Sequence, residues 1–559
     1  MERRAILAAL LMAGLLILYQ FLFVPSPSSP PEVSPPPTKE TPKPVVSLPT
    51  PPLLPGHGAV PVGVTRTAMV EGPLYRAVVS SEGGQLVEWV LRYRGDKPMV
   101  VPSQLGPSGL LVSRSAGGRR AIAFELSPDR LTLGPGQSAT ELVLTGQDQF
   151  GIRISKRLRF EAGDFKIDVA LKLENRHSVP QTVEVVLPWT TRKEWPKEQG
   201  EQFQGQRPTR VVSSSGGQVH RVELPLVTES SVEGQWVGLE SEWYLAAMVP
   251  RSPGFKLLTA HGEDGIVEVG LKATPPRLEP GQIWEGRAFY YVGPKEYDRL
   301  KAIGVGLEEA VFFGGFPLPR RYGGLPMEWL GVPILWLMNF FYRYIGNYGL
   351  AIILLTVIVK ILFYPLTLKS MASMKAMQSI QPQVNSLRAK YKNDPQRVQR
   401  ETMELYRKHK VNPMGGCLPM LIQIPIFYAL YITLSVSVEL QNAALLCAGK
   451  APKWVPGLGG TDLWICDLAQ HDPTYILPLL MGASMFVQQK MTPVVGDPRQ
   501  AKIMLMMPVV FTFMFLTLPS GLVLYWLVSN LLQILQQYYM DKATPREGSR
   551  KQTRMAQAH

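Results

Sequence analysis

The run TVIVKILFYPLT, residues 356–367, sets one lysine, Lys360, among aliphatic and aromatic neighbours. An ammonium in such a run costs several kcal/mol in hydrocarbon unless it faces water or a partner, which makes it a functional candidate. No Asp or Glu lies in any apolar run to pair with it. Other chemistries lack their residues. His177, His220 and His261 stand without nearby acid or thiol partners and read as ordinary core or surface histidines. Cys417, Cys447 and Cys466 contain no C-x-x-C pair, which supports neither a zinc site nor a dense disulfide framework. No G-x-x-x-x-G-K-[ST] loop and no nucleophile–base constellation is present, so an ATP-driven pump and a membrane hydrolase are both disfavoured. The chain is expected to need no metal or cofactor and to catalyse no bond-making reaction.

The polar companions of Lys360 come from other apolar blocks. Beyond an N-terminal run, Ala5–Val24, five blocks fall at about 349–366, 415–434, 474–489, 503–518 and 521–539, giving six candidate membrane spans. Counted at 1.5 Å per residue from the basic end of its block, Lys360 lies roughly 9 Å deep. Gln423 and Asn530, with Ser529 beside it, reach similar depth, and Gln488 and Gln489 close the end of theirs. Snorkelling of the lysine stem to the interface is the simpler explanation for Lys360 alone. Polar groups from four helices at one depth favour a hydrated cavity, with an interhelical hydrogen-bond cluster as the alternative. The outer halves hold no ionisable group apart from tyrosine, so the cavity is expected to open on one side only, unlike a channel.

The charges orient these spans. Residues 367–412 hold ten Lys/Arg against three Asp/Glu, and 540–559 hold five against two, whereas 437–473 hold two against four. Basic loops remain cytoplasmic, which puts both termini inside. The overall charge of +14 is accounted for beside the apolar spans rather than on a nucleic-acid-binding face. Residues 1–24 read as an uncleaved anchor, since Phe21-Leu22-Phe23-Val24 runs into proline without a small-residue cleavage pattern. Residues 25–64 form a proline-rich linker. From 65 to 315 the pattern changes to period two, as in FKIDVALKLEN, where Phe165, Ile167, Val169, Leu171 and Leu173 alternate with more polar positions. This predicts a large antiparallel β-sandwich outside the membrane. Residues 316–348 read as a linker and a helix at the membrane surface. The core is placed at 349–541 and a basic tail at 542–559.

Between the first two core spans, residues 370–411 read as a cytoplasmic helical hairpin broken at Asn393-Asp394-Pro395, with Asp394 as cap and Pro395 opening the second helix. Met371, Met374 and Met377 recur with Ile380, Val384 and Leu387 as an apolar stripe. It is either the seam of the hairpin or an adaptable contact surface, and the basic outer face could meet anionic lipid. Cys447 and Cys466 share the external segment 437–473, where a disulfide is chemically permitted and would add roughly 3 kcal/mol in the chain-entropy model.

The stretches FYPLT, MKAMQSIQPQ, KVNPMGGCLPMLIQIPIFYALY, DPTYILPLLMG, QQKMTP and PSGLVLYWLVSNLLQILQQYYM, in that order, resemble the YidC/Oxa family of membrane protein insertases over about 325–541. The anchor followed by a β-domain resembles the form with a large periplasmic domain. The resemblance implies a helical core around a positively charged groove, open to cytoplasm and lipid. It also implies nascent membrane proteins as substrates, the Sec translocon and ribosome as partners, and residence in a bacterial inner membrane. It places Lys360 where the family typically has arginine, and puts Thr356, Gln423, Pro425, Gln489, Trp526, Ser529 and Asn530 on groove-lining or substrate-facing stretches. Trp526 stands where tyrosine is common. A secondary transporter with a cytoplasm-facing polar site is the alternative, but it would call for paired ionisable residues and internal repeats, and neither is evident.

Overall fold

A computed structural model describes residues 66–543 except 115–116, 135–136, 204, 225–228, 262–264, 314, 317–324, 393, 410, 412–417, 451–461 and 492–497. The anchor at 1–24, the proline-rich linker, Cys417 and the tail beyond 543 lie outside the described residues.

Alternation of apolar and polar residues builds the β-domain. In Lys166–Asn175 every second side chain turns inward, and Phe165, Ile167, Val169, Leu171 and Leu173 are all buried. That strand lies within a nine-stranded sheet ordered Gln218–Glu223, Arg210–Ser215, Trp236–Glu240, Tyr244–Pro250, Ile283–Pro294, Lys166–Asn175, Ile152–Glu161, Ala139–Gln147 and Phe124–Ser127. A seven-stranded sheet centred on Glu184–Arg192 and Ile266–Ala273 packs against it. A five-stranded sheet completes the domain, and its outer pair, Thr67–Glu71 and Arg130–Thr132, is parallel. The remaining pairings are antiparallel, as the short connections require. Trp89, Trp189 and Trp236 are fully buried, and the Trp89 indole donates to Val292 O at 2.9 Å, tying the small sheet to the large one.

Helices α1 (Lys197–Gln202) and α2 (Tyr297–Ile303) belong to this domain, and α3 (Glu328–Ile345) leads out of it. The helical region comprises α4 (Tyr348–Ser379), α5 (Gln381–Lys390), α6 (Pro395–Lys408), α7 (Leu418–Val436), α8 (Ile476–Met491), α9 (Pro498–Phe515) and α10 (Ser520–Ala543). Asn347 caps α4 by accepting from Leu350 N at 3.0 Å, and Asp394 caps α6 by accepting from Arg397 N at 3.0 Å. Among the described residues, α4 is the one helix long and apolar enough by itself to cross a membrane.

Two boundaries differ from the sequence expectation. The first core block does not stop at 366: α4 continues through Pro365 to Ser379, so Met371, Met374 and Met377 are its last turns. Composition changes at 367 while backbone hydrogen bonding does not. The chain breaks at Ile380 and again before Pro395, leaving α5 and α6 as the hairpin proper. Met371, Ile380 and Val384 are buried there, whereas Met374 and Met377 are half-buried.

A single apolar core runs from the sandwich into the helices through Phe313, Met327, Ile334, Leu335 and Met338. The two regions are therefore continuous rather than joined by a bare tether.

Candidate functional site

Helix α10 carries the polar residues that organise the helical region. Trp526, Asn530, Gln533 and Gln537 follow spacings of four, three and four, which puts them on one face. Each meets a different neighbour. Trp526 packs edge-on to Phe427 of α7 and Phe515 of α9, with ring centroids 4.6 and 5.1 Å away. Asn530 Nδ2 donates to Ser484 Oγ of α8 at 3.2 Å, and both side chains are buried. Gln537 Nε2 donates to the carbonyl of Met491 at the end of α8. Gln533 Oε1 accepts from Lys360 Nζ of α4 at 3.2 Å. One residue ahead of this face, Tyr525 lies beside Gln423 of α7. Nearer the end of α10, Lys375 Nζ donates to Met540 O at 3.1 Å.

Of the residues singled out in the sequence, Lys360, Gln423, Trp526 and Asn530 are thus linked through α10. Thr356 is not part of that set: it is fully buried and its hydroxyl donates to Ile352 O of its own helix at 2.7 Å. Ser529 is also buried, while Pro425 and Gln489 are half-buried. Sequence reading missed Ser484, Gln533 and Gln537. The heptad-like spacing from Trp526 to Gln537 was the available signal, since it marks one polar face on an otherwise apolar helix.

The outer faces of the same helices are strongly apolar. Ile361 and Leu362, directly after Lys360, are 67% and 69% exposed, and Phe513 of α9 is 69% exposed. Leu479, Val487, Val510 and Leu535 are exposed as well. Such surface is incompatible with water and compatible with hydrocarbon. Lys360 is half-buried at the margin between this apolar surface and the polar face of α10. The arrangement can attract negative charge, donate hydrogen bonds and exchange neighbours. Among the described residues no His/Cys/Asp/Glu group could hold a metal ion.

Cys447 lies on the strand Leu446–Lys450 and Cys466 directly follows its partner strand Asp462–Ile465, with Cα atoms 4.6 Å apart and their sulfurs at bonding distance.

Two family models match consecutive parts of the chain: the YidC periplasmic domain over residues 67–337 and the 60Kd inner membrane protein over 340–547. A membrane protein insertase YidC from Syntrophus aciditrophicus is 38% identical over 97% of this chain and 100% of its own length. The same-named protein from Geobacter metallireducens is 36% identical over 97% of this chain and 99% of its own. A crystal structure of an active YidC insertase covers 85% of this chain and 95% of its own, at 18% identity and a TM-score of 0.36.

Proposed function

The chain belongs to the YidC family of membrane protein insertases, and from that premise we propose how its helical region performs insertion. It is an inner-membrane insertase with a β-rich periplasmic domain, and its substrates are nascent membrane proteins. The mechanism runs through a hydrated groove bounded by α4, α7, α8 and α10, entered from the cytoplasm and closed outward. Lys360 supplies its positive charge; Gln423, Gln489, Ser529 and Asn530 supply polar surface; Thr356, Pro425 and Trp526 shape its wall.

Support comes chiefly from one observation. The ammonium of Lys360 has an uncharged partner, Gln533, and sits between a polar helix face and a surface made of exposed aliphatic side chains. A polar stretch of substrate entering there would cross a thinner apolar barrier, and partition of the adjoining apolar segment into lipid would release it. No covalent step is needed. A potential positive outside would favour passage of acidic tails by about 2.3 kcal/mol per charge per 100 mV.

The topology proposed with this mechanism has six spans, both termini cytoplasmic, α5 and α6 in the cytoplasm where Met371, Met374 and Met377 approach the substrate path, and α3 against the outer surface. In the outer segment Cys447 and Cys466 form a disulfide. The Sec translocon and the ribosome are the partners this placement would serve.

Single cysteines at 360, 423 and 530 test the groove. Each is expected to react with a membrane-impermeant thiol reagent added from the cytoplasm and to be slow from outside. Labelling from outside alone, or uniform protection, would overturn the mechanism.

A further inference from the structure

Lysine carries its charge on four flexible methylenes and, left alone beside exposed Ile361 and Leu362, would extend toward the nearest polar interface. Arginine could brace itself through a planar fork with five donors, whereas an ammonium cannot. The structure supplies the missing brace from α10. Gln533 Oε1 takes one Nζ–H at 3.2 Å and is the one hydrogen-bond partner of Lys360 among the described residues. Its neighbours on the same face are already engaged, Asn530 with Ser484 and Gln537 with Met491. An amide oxygen holds the ammonium without adding charge, where a carboxylate would cancel it, and two of the three N–H donors stay unclaimed.

From this geometry we infer that Gln533 is a positioning residue for substrate capture: it fixes the Lys360 ammonium on the polar face of α10 with donors directed to a carboxylate of the entering chain. Gln533 thereby sets a preference for acidic over neutral polar segments. The inference rests on the groove mechanism proposed above.

The test uses the full chain reconstituted in phosphatidylethanolamine/phosphatidylglycerol vesicles. Two single-span probe proteins differ only in their N-terminal tails, one carrying Asp and Glu and the other Asn and Gln. Gln533→Met keeps the side-chain volume and removes the strong acceptor. It should lower insertion of the acidic probe about tenfold, the scale of one hydrogen bond to a charged group, and change the neutral probe less than twofold. Gln533→Glu should lose the same preference by cancelling the charge, and it decides the matter if Gln533→Met does not fold. In the Lys360→Ala background Gln533→Met should have no further effect, because residues acting through one contact are not additive. Equal loss for both probes, no loss, or an additive loss in that background would overturn the inference. If Lys360→Ala itself inserts the acidic probe normally, the groove mechanism fails; if it discriminates and Gln533→Met does not, only the role of Gln533 fails.

Discussion

At the scale of single residues, burial shows a cost at two charged groups, Lys156 and Glu439. Lys156 is fully enclosed by the sandwich, where its Nζ donates to Gly84 O at 2.8 Å and burial pulls its ammonium down to about 7. Glu439 stands just past α7, and burial pushes its carboxyl up to about 7; Glu296 adds to the rise and Arg94 opposes it. A carboxyl raised above its unfolded value of 4.5 contributes stability that is complete below about 4.5 and is lost as pH rises to about 7. Glu439→Gln removes that loss. Thermal unfolding of the purified chain should show the midpoint of the unaltered protein falling between pH 5 and pH 8, while that of the variant changes much less. At pH 8 the variant should be the more stable, by a few kcal/mol at most. Parallel pH profiles would show that Glu439 ionises without penalty.

At the scale of elements, close approach between helices depends on small residues, since apolar helices in lipid gain nothing from burying apolar surface alone. Gly482 of α8 faces Thr512 of α9, and a Cβ there would collide with Thr512 Oγ1 and lie 3.1 Å from Thr512 Cβ. Gly482→Ala should therefore destabilise the helical region by about 1–3 kcal/mol, the usual cost of overpacking. Adding Thr512→Ala should restore most of it, read as the melting temperature in detergent. A Gly482→Ala protein as stable as its parent would mean that α8 and α9 separate freely. Proline is tolerated inside α3, α4, α7 and α9, at Pro333, Pro365, Pro425 and Pro508. Each removes one backbone donor without ending its helix.

At the scale of the whole molecule, the β-domain and the helices meet at a keyed seam. Arg94 sits in a turn with φ of 52°, a conformation non-glycine residues rarely hold without surrounding contacts. Its guanidinium lies 5.3 Å from the Tyr348 ring at the start of α4 and 6.0 Å from Tyr342 of α3, and it donates to Gln441 O at 3.4 Å. In return Asn442 Nδ2 donates to Arg94 O at 2.9 Å, and Tyr244 OH of the large sheet donates to Gln441 Oε1 at 2.6 Å. A polar cavity of about 590 Å³ opens beside this seam, lined in part by Lys97, Gln202, Glu242, Asn442 and Asp467, away from Lys360. Arg94→Ala should loosen the seam by about 1–2 kcal/mol, the value of a partly desolvated cation–π contact with its hydrogen bond. Hydrogen exchange should then quicken at the Gln441–Ala443 amides and the first turn of α4, while the central strands of the sandwich keep their protection. Unchanged exchange at the seam would show that apolar packing through Phe313 and Met338 holds the two regions alone.

Local patterns were legible in the chain because their causes are local. Alternation marked Phe165 through Leu173 as a strand, Asp394 and Pro395 announced the start of α6, and the apolar blocks located α7, α8 and α10 to within a few residues. The order of motifs from FYPLT to the α10 stretch carried the family. What the tertiary structure alone decided are pairings between distant positions: Lys360 with Gln533, 173 residues apart, and Arg94 with Gln441, 347 apart. Counting depth along separate helices gives height but not rotation about each axis, and Thr356, set beside Lys360 by the family resemblance alone, turns its hydroxyl back onto Ile352 O. Rotation is fixed only when helices pack, because the side chains of one must fill the spaces left by the next.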